Sequence, residues 1–187
     1  MREEIIFKQL AGNLGNVPTD DQSVVLRKIA GYLVSEREDI FLLTGYAGTG
    51  KTSVISTLVR TLGSLRMKCV LLAPTGRAAK VLSSYAGIQA FTIHKRIYRQ
   101  QSLKDGTGRF VLDRNLSRKT LFIVDEASMI SNFSNDLSIF GSGRLLDDLI
   151  EYVYSGQGCR LILVGDTAQL PPVGSAIGPA LDPDTLK

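Results

Sequence analysis

The chain has 187 residues, 44% of them hydrophobic, and carries 22 basic against 18 acidic residues. That size and apolar content fit one domain with a full core, and no apolar run reaches the ~18–20 residues of a membrane span. The opening Met1-Arg2-Glu3-Glu4 lacks a signal-peptide layout, and Cys69 and Cys159 make neither a zinc pattern nor a disulfide framework. A cytoplasmic protein with no membrane partner is expected.

The first segment, residues 3–11, reads as a short amphipathic helix broken by Asn13 to Pro18. A second helix is expected from Thr19 to about Ser35, with apolar positions at 24, 25, 29, 32 and 33. Ile40-Phe41-Leu42-Leu43-Thr44 then has strand composition. It leads into Gly45-Tyr46-Ala47-Gly48-Thr49-Gly50-Lys51-Thr52, a complete G-x-x-x-x-G-K-[ST] phosphate-binding loop. Glycines let backbone N–H groups converge on an anion at a helix N-terminus. Lys51 is placed to reach the β- and γ-phosphates of ATP, and the Thr52 hydroxyl to ligate Mg²⁺. Apolar residues at 54, 55, 58 and 59 supply the helix that this loop must open.

A strand over 69–73 and a helix over 76–86 come next. Residues 97–118 break the rhythm. Lys104-Asp105-Gly106-Thr107-Gly108 is a turn cluster between Ile97-Tyr98 and Phe110-Val111-Leu112, which predicts a small inserted hairpin. Strand 120–124 ends in Asp125-Glu126. In phosphate-loop enzymes the first carboxylate holds Mg²⁺ and the second acts as general base on the attacking water. Residues 131–143 read as a loop, 144–155 as a helix and 161–164 as a strand. The tail from Pro171 has four prolines and little pattern. Alternating helices and continuous apolar strands predict an α/β fold, a parallel sheet covered by helices on both faces.

Charge is unevenly spread. Residues 77–119 hold ten basic and two acidic residues, whereas the remaining 144 hold twelve basic and sixteen acidic. This is either a solvated basic face or a surface for a phosphate backbone.

Six motifs in order then carry a family resemblance. They are Thr19-x-x-Gln22; the phosphate loop; Pro74-Thr75-Gly76-Arg77-Ala78-Ala79-Lys80; Thr92-Ile93-His94-Lys95; Asp125-Glu126-Ala127-Ser128-Met129; and Gly165-Asp166-Thr167-Ala168-Gln169-Leu170-Pro171-Pro172-Val173-Gly174. Over about residues 19–175 the chain resembles the superfamily 1B DNA helicases, the RecD-like, Dda-like and Pif-like enzymes. An exodeoxyribonuclease V alpha-like description fits it too, although no nuclease carboxylate cluster is visible.

The resemblance implies a RecA-like phosphate-loop NTPase fold in which the 161–164 strand lies between the phosphate-loop and Asp-Glu strands. It implies that Gln169 senses the γ-phosphate and joins Lys51, Asp125 and Glu126 in catalysis. Gln22 would read adenine, although Thr19-x-x-Gln22 is equally a helix capping box. Nucleotide contacts would come from Gln22, Gly45, Ala47, Gly48, Thr49, Gly50, Lys51 and Thr52, and Mg²⁺ ligands from Thr52 and Asp125. Single-stranded DNA would meet Pro74, Thr75, Gly76, Arg77 and Lys80, then Thr92, His94 and Lys95. Phe110, on the 1B-like hairpin, is either a DNA-facing aromatic or a packing partner of Tyr98.

The chain is therefore expected to form motor domain 1A, with a helical N-terminal segment over 1–38. A C-terminal RecA-like domain bearing the arginine motifs is not within these residues. The expected activity is ATP-driven translocation on single-stranded DNA, 5′ to 3′ by family analogy. A nucleotide-gated DNA-binding ATPase without strand separation is the alternative. A phosphate-loop kinase is disfavoured by Asp125-Glu126 and the Gln169 motif.

Overall fold

The structure, a computed structural model, describes residues 2–35, 40–102, 108–132, 140–166, 168, 178–183, 185 and 186. Helices α1 (Arg2–Asn13) and α2 (Asp20–Val34) precede strand β1 (Phe41–Thr44). Helix α3 (Lys51–Ser64), strand β2 (Lys68–Ala73) and helix α4 (Gly76–Ala86) are next in the chain. Then come β3 (Ala90–Thr92), α5 (Ile93–Ile97), β4 (Tyr98–Ser102), β5 (Gly108–Leu112), β6 (Thr120–Val124), α6 (Leu145–Tyr154) and β7 (Arg160–Gly165). Short β3 and α5 carry no signal of their own in the sequence, because three and five residues are too few to show a period.

Five strands form one parallel sheet in the order β1-β7-β6-β2-β3. The β7 strand thus separates the phosphate-loop strand from the Asp-Glu strand, as the resemblance implied. Alternation along each strand splits the interior in two. Leu71, Leu121, Ile123, Ile162 and Val164 face a core shared with the first four helices. Leu72, Phe122, Val124, Leu161 and Leu163 face a second core built with α5, α6 and the hairpin base. Strands buried on both faces have no polar face, which is why they read as unbroken apolar runs.

The β4–β5 hairpin pairs Tyr98 with Leu112 and Gln100 with Phe110 in antiparallel register. The expected loop at 131–143 lies partly outside the described residues, but its end is anchored. The Gly141 N–H donates to the Phe110 carbonyl at 2.8 Å, and the Phe110 and Phe140 rings stack at 4.5 Å. Behind them Asp148, 4% exposed, accepts hydrogen bonds from the Tyr98 hydroxyl at 2.6 Å and from the Ser142 N–H and hydroxyl. This buried carboxylate ties the hairpin base to α6, and with burial it pushes the Tyr98 hydroxyl well above its ordinary pKa.

Candidate functional site

Parallel strands present all their C-terminal ends on one side, so each motif that comes after a strand emerges on the same rim. After β1, the loop turns through left-handed Gly48 and Gly50, with φ of 81° and 88°. Glycine is required there and also where space is short. A Cβ on Gly45 would lie 2.8 Å from Thr49 Oγ1, and one on Gly50 would lie 3.0 Å from Gln22 Nε2. Lys51 Nζ donates to the Gly45 and Tyr46 carbonyls at 2.5 and 2.8 Å, which holds the ammonium at the loop's mouth.

Gln22 does two things that the sequence set against each other. Its Oε1 accepts from the Thr19 N–H at 3.1 Å and its own N–H donates to Thr19 Oγ1, which completes the capping box. Its Nε2 points the other way, against Gly50. A cavity of about 460 Å³ runs from Gln22 and Val25 past Leu43 to Gly45, Thr49 and Lys51. The capping amide therefore lines the same hollow as the phosphate loop.

After β6, the two carboxylates are held by their own backbone. The Asp125 N–H donates to the Leu72 carbonyl, and Asp125 Oδ1 accepts the Glu126 N–H at 2.9 Å. Glu126 sits at φ 55°, a left-handed conformation that costs a non-glycine residue energy and turns the chain straight into the 3-10 turn Ala127–Met129. Sequence reasoning missed the third partner. Tyr85, near the end of α4, donates its hydroxyl to Asp125 Oδ2. Burial and that carboxylate push the Tyr85 hydroxyl well above its ordinary pKa. A tyrosine in a helical pattern gives no signal for this.

After β7, Asp166 is 4% exposed, with Oδ1 accepting the Ala168 N–H and Oδ2 lying 3.8 Å from Lys51 Nζ. A buried carboxylate beside the phosphate-loop lysine was missed, although the Gly165-Asp166 strand end was its signal. Gln169 lies outside the described residues.

The residues implied to meet DNA gather on the next part of the rim. Register pairs Ala73 of β2 with Thr92 of β3, so the starts of α4 and α5 lie side by side. Thr75 and Thr92 are both N-caps, their hydroxyls accepting the Ala78 and Lys95 N–H groups at 3.2 Å. Gly76, Arg77 and Lys80 on α4 are exposed, as is Lys95, while Pro74 is half-buried. His94 packs edge-on to Phe140 at 5.0 Å, and burial lowers its pKa. Phe110 stacks on Phe140, and Phe140 in turn lies 5.6 Å from Tyr98. Between α4 and the carboxylates lies a cavity of about 520 Å³, walled by Thr75, Arg77 and Val81 on one side and Asp125, Glu126 and Met129 on the other.

The ten basic residues of 77–119 do not share one face. Arg77 comes after the C-terminal end of β2, whereas Arg118 and Lys119 precede the N-terminal end of β6. In parallel neighbours those are opposite edges of the sheet, about 17 Å apart at ~3.3 Å per residue.

A phosphate loop, a strand-end carboxylate pair and the intervening strand order define a RecA-like phosphate-loop NTPase. The family described as an AAA domain matches residues 19–181. The ATP-dependent RecD2 DNA helicase of Deinococcus radiodurans is 31% identical over 160 residues, covering 85% of this chain and 19% of that protein. The ATP-dependent DNA helicase RRM3 of Saccharomyces cerevisiae is 32% identical over 162 residues, covering 78% of this chain and 20% of that protein. The crystal structure of Pif1 helicase from Candida albicans superposes with a TM-score of 0.51 at 21% identity, over 84% of this chain and 34% of that one, which shows the fold. The chain belongs to this AAA-domain family, as a superfamily 1B helicase N-terminal motor domain. It spans about one fifth of the length of the two relatives. Among the described residues no helix is long and apolar enough to cross a membrane.

Proposed function

We propose that the chain binds Mg-ATP and forms motor domain 1A of an ATP-dependent DNA helicase that translocates 5′ to 3′ on single-stranded DNA. The observation that carries this reading is the strand order. It sets Lys51, Asp166 and the Asp125-Glu126 pair beyond the C-terminal ends of three neighbouring strands, β1, β7 and β6, and the exposed start of α4 beyond the end of the next, β2. The Asp125-Glu126 pair and the helix start proposed to bind phosphate thereby share one cavity, on the rim that also carries the phosphate loop.

The donors suit Mg²⁺, a hard cation that takes one or two protein oxygens beside phosphate and water. Thr52 and Asp125 would hold it, and when bound it neutralises charge on the β- and γ-phosphates. Lys51 exchanges its loop carbonyls for phosphate oxygens. The cavity at Gln22 takes the base, and Nε2 is the group left to read it. Glu126 accepts the proton of the attacking water. Asp166 opens the motif that contains Gln169, and by the family resemblance Gln169 passes a change at the γ-phosphate on to the DNA surface. The relatives' greater length supports a second RecA-like domain of the same protein as the partner that supplies arginines and closes the cleft. Localisation in the cytoplasm fits this reading.

Lys51→Ala is expected to abolish binding of a fluorescent Mg-ATP analogue with the circular dichroism spectrum unchanged, because charge-assisted contacts dominate at the triphosphate. Retained affinity in a folded variant would remove the phosphate-loop assignment. Unwinding by the full-length parent then separates a helicase from a nucleotide-gated DNA-binding ATPase without strand separation.

A further inference from the structure

The sheet edge opposite the nucleotide rim holds a second concentration of positive charge. Arg2, Arg66, Lys68, Arg118 and Lys119 come from three separate segments and line one concavity of about 650 Å³ with Met67 and Gln157. No carboxylate among the described residues lies within ion-pair distance of any of the five, and no acid lines the concavity. Without them the chain would hold 17 basic against 18 acidic residues, so they account for more than its whole net charge of +4. Their backbones are pinned. Lys119 N–H donates to the Gln157 carbonyl at 2.8 Å, and the Arg66 and Met67 N–H groups donate to the end of α3.

This basal concavity does not stand alone. Lys68 and Arg118 also wall a neighbouring one of about 430 Å³, which exists because β3 pairs only with residues 71–73 of β2. The edge of β2 over 68–70 therefore lines this cavity together with residues 116–118. Leu116 and Ser117 wall a third, of about 480 Å³, together with Lys95, Arg96 and Arg114. Lys68 and Arg118 are shared by the first two and Leu116 and Ser117 by the last two, so the three adjoin as a groove from the α5 surface to the base of the sheet. Its single lining acid, Asp113, is already paired with Arg99 at 3.3 Å. Two further features point to a ligand. The buried Arg96 Nε–H has no acceptor among the described residues, and Leu116 is 85% exposed in the middle of the groove.

We propose that this groove is a second nucleic-acid contact, which takes the phosphate backbone of a single strand continuing from Lys95 past Leu116 into the basal basic pocket. Convergent cations repel one another unless an anion lies between them, and a phosphate backbone supplies anions at the spacing of a chain. An exposed apolar side chain within a basic track offers a surface to bases without reading their sequence. The proposal rests on the DNA-binding reading above, but it predicts a different dependence on strand length.

The test uses the whole chain and oligothymidylates of about eight and roughly thirty nucleotides, the first within and the second well beyond the ~4–16 nucleotides that one binding face commonly covers. Anisotropy titrations across salt give affinity and slope. The Arg2→Glu/Lys68→Glu/Arg118→Glu variant should lose about tenfold or more in affinity for the long strand, and its log–log salt slope should fall by ~0.7 per lost contact. Short-strand and Mg-ATP affinities should be unchanged. The corresponding triple glutamine variant guards against misfolding and should show the same selective loss, smaller in size. Equal losses for both lengths would mean a general field effect and overturn the track, as would no loss for the long strand. Stronger binding of a duplex than of the long strand would overturn the single-strand assignment. Arg77→Ala is the separate control. If it leaves both lengths unaffected, the rim reading fails whatever the basal variants do.

Discussion

Tyr85 shows how a single side chain can connect two functions without belonging to either motif. It stands on α4, whose exposed start is the proposed DNA contact, and its hydroxyl holds the carboxylate proposed for Mg²⁺. Ala78, Val81 and Tyr85 recur at helical spacing, so one face of α4 runs from the shared cavity to Asp125. A hydrogen bond to a charged group contributes roughly 1.5–3 kcal/mol. Tyr85→Phe removes the hydroxyl and keeps the ring. It should weaken Mg²⁺-dependent nucleotide binding by about tenfold while leaving binding in excess chelator nearly unchanged. Equal weakening in both conditions would make Tyr85 a packing residue only.

At the scale of elements, the inserted hairpin is held by rings and one buried carboxylate. Phe110 and Phe140 stack with planes 23° apart, and Phe140 meets His94 and Tyr98 on its other sides. Such an aromatic pair is worth ~0.5–1.5 kcal/mol beyond area burial. A double-mutant cycle of Phe110→Ala and Phe140→Ala, read by denaturant unfolding, should return a coupling energy in that range. Phe140 covers one face of the Phe110 ring. Phe110→Ala should therefore also lower single-strand affinity, by up to the ~1–3 kcal/mol of a stacked base, and more than Phe140→Ala does. Equal effects of the two substitutions on DNA would confine Phe110 to holding the hairpin.

Across the whole molecule, the chain is expected to support ground-state nucleotide binding, whereas none of its own arginines stands in an expected finger motif. Arg160 donates to the Tyr32, Leu33 and Ser35 carbonyls and so caps the C-terminus of α2. Arg144 pairs with Asp147 at 2.8 Å. Arginine fingers are worth ~10³–10⁵ in rate in related phosphate-loop enzymes. The 187-residue chain alone is expected to bind Mg-ATP weakly and to turn it over near background, with no stimulation by single-stranded DNA in a phosphate-release assay. Robust DNA-stimulated turnover would show that catalysis needs no second domain.

The sequence by itself determined four of the sheet's five strands and the longer flanking helices, and it pointed to nucleotide chemistry, because those signals are local. A glycine loop needs its own φ values, a strand buried on both faces needs an apolar run, and Asp125-Glu126 needs only a strand end. Family resemblance even placed the 161–164 strand between the phosphate-loop and Asp-Glu strands. Only the tertiary structure decided which distant groups meet. It let Gln22 cap a helix with one amide atom and face the loop with the other. It brought Asp166 to Lys51 and Tyr85 to Asp125, across separations of 115 and 40 residues that no periodicity encodes. It also divided a basic segment that looked continuous, since parallel strands send the residues after β2 and those before β6 to opposite edges of the sheet. Charge adds up along a chain, but a surface is made by the chain's reversals.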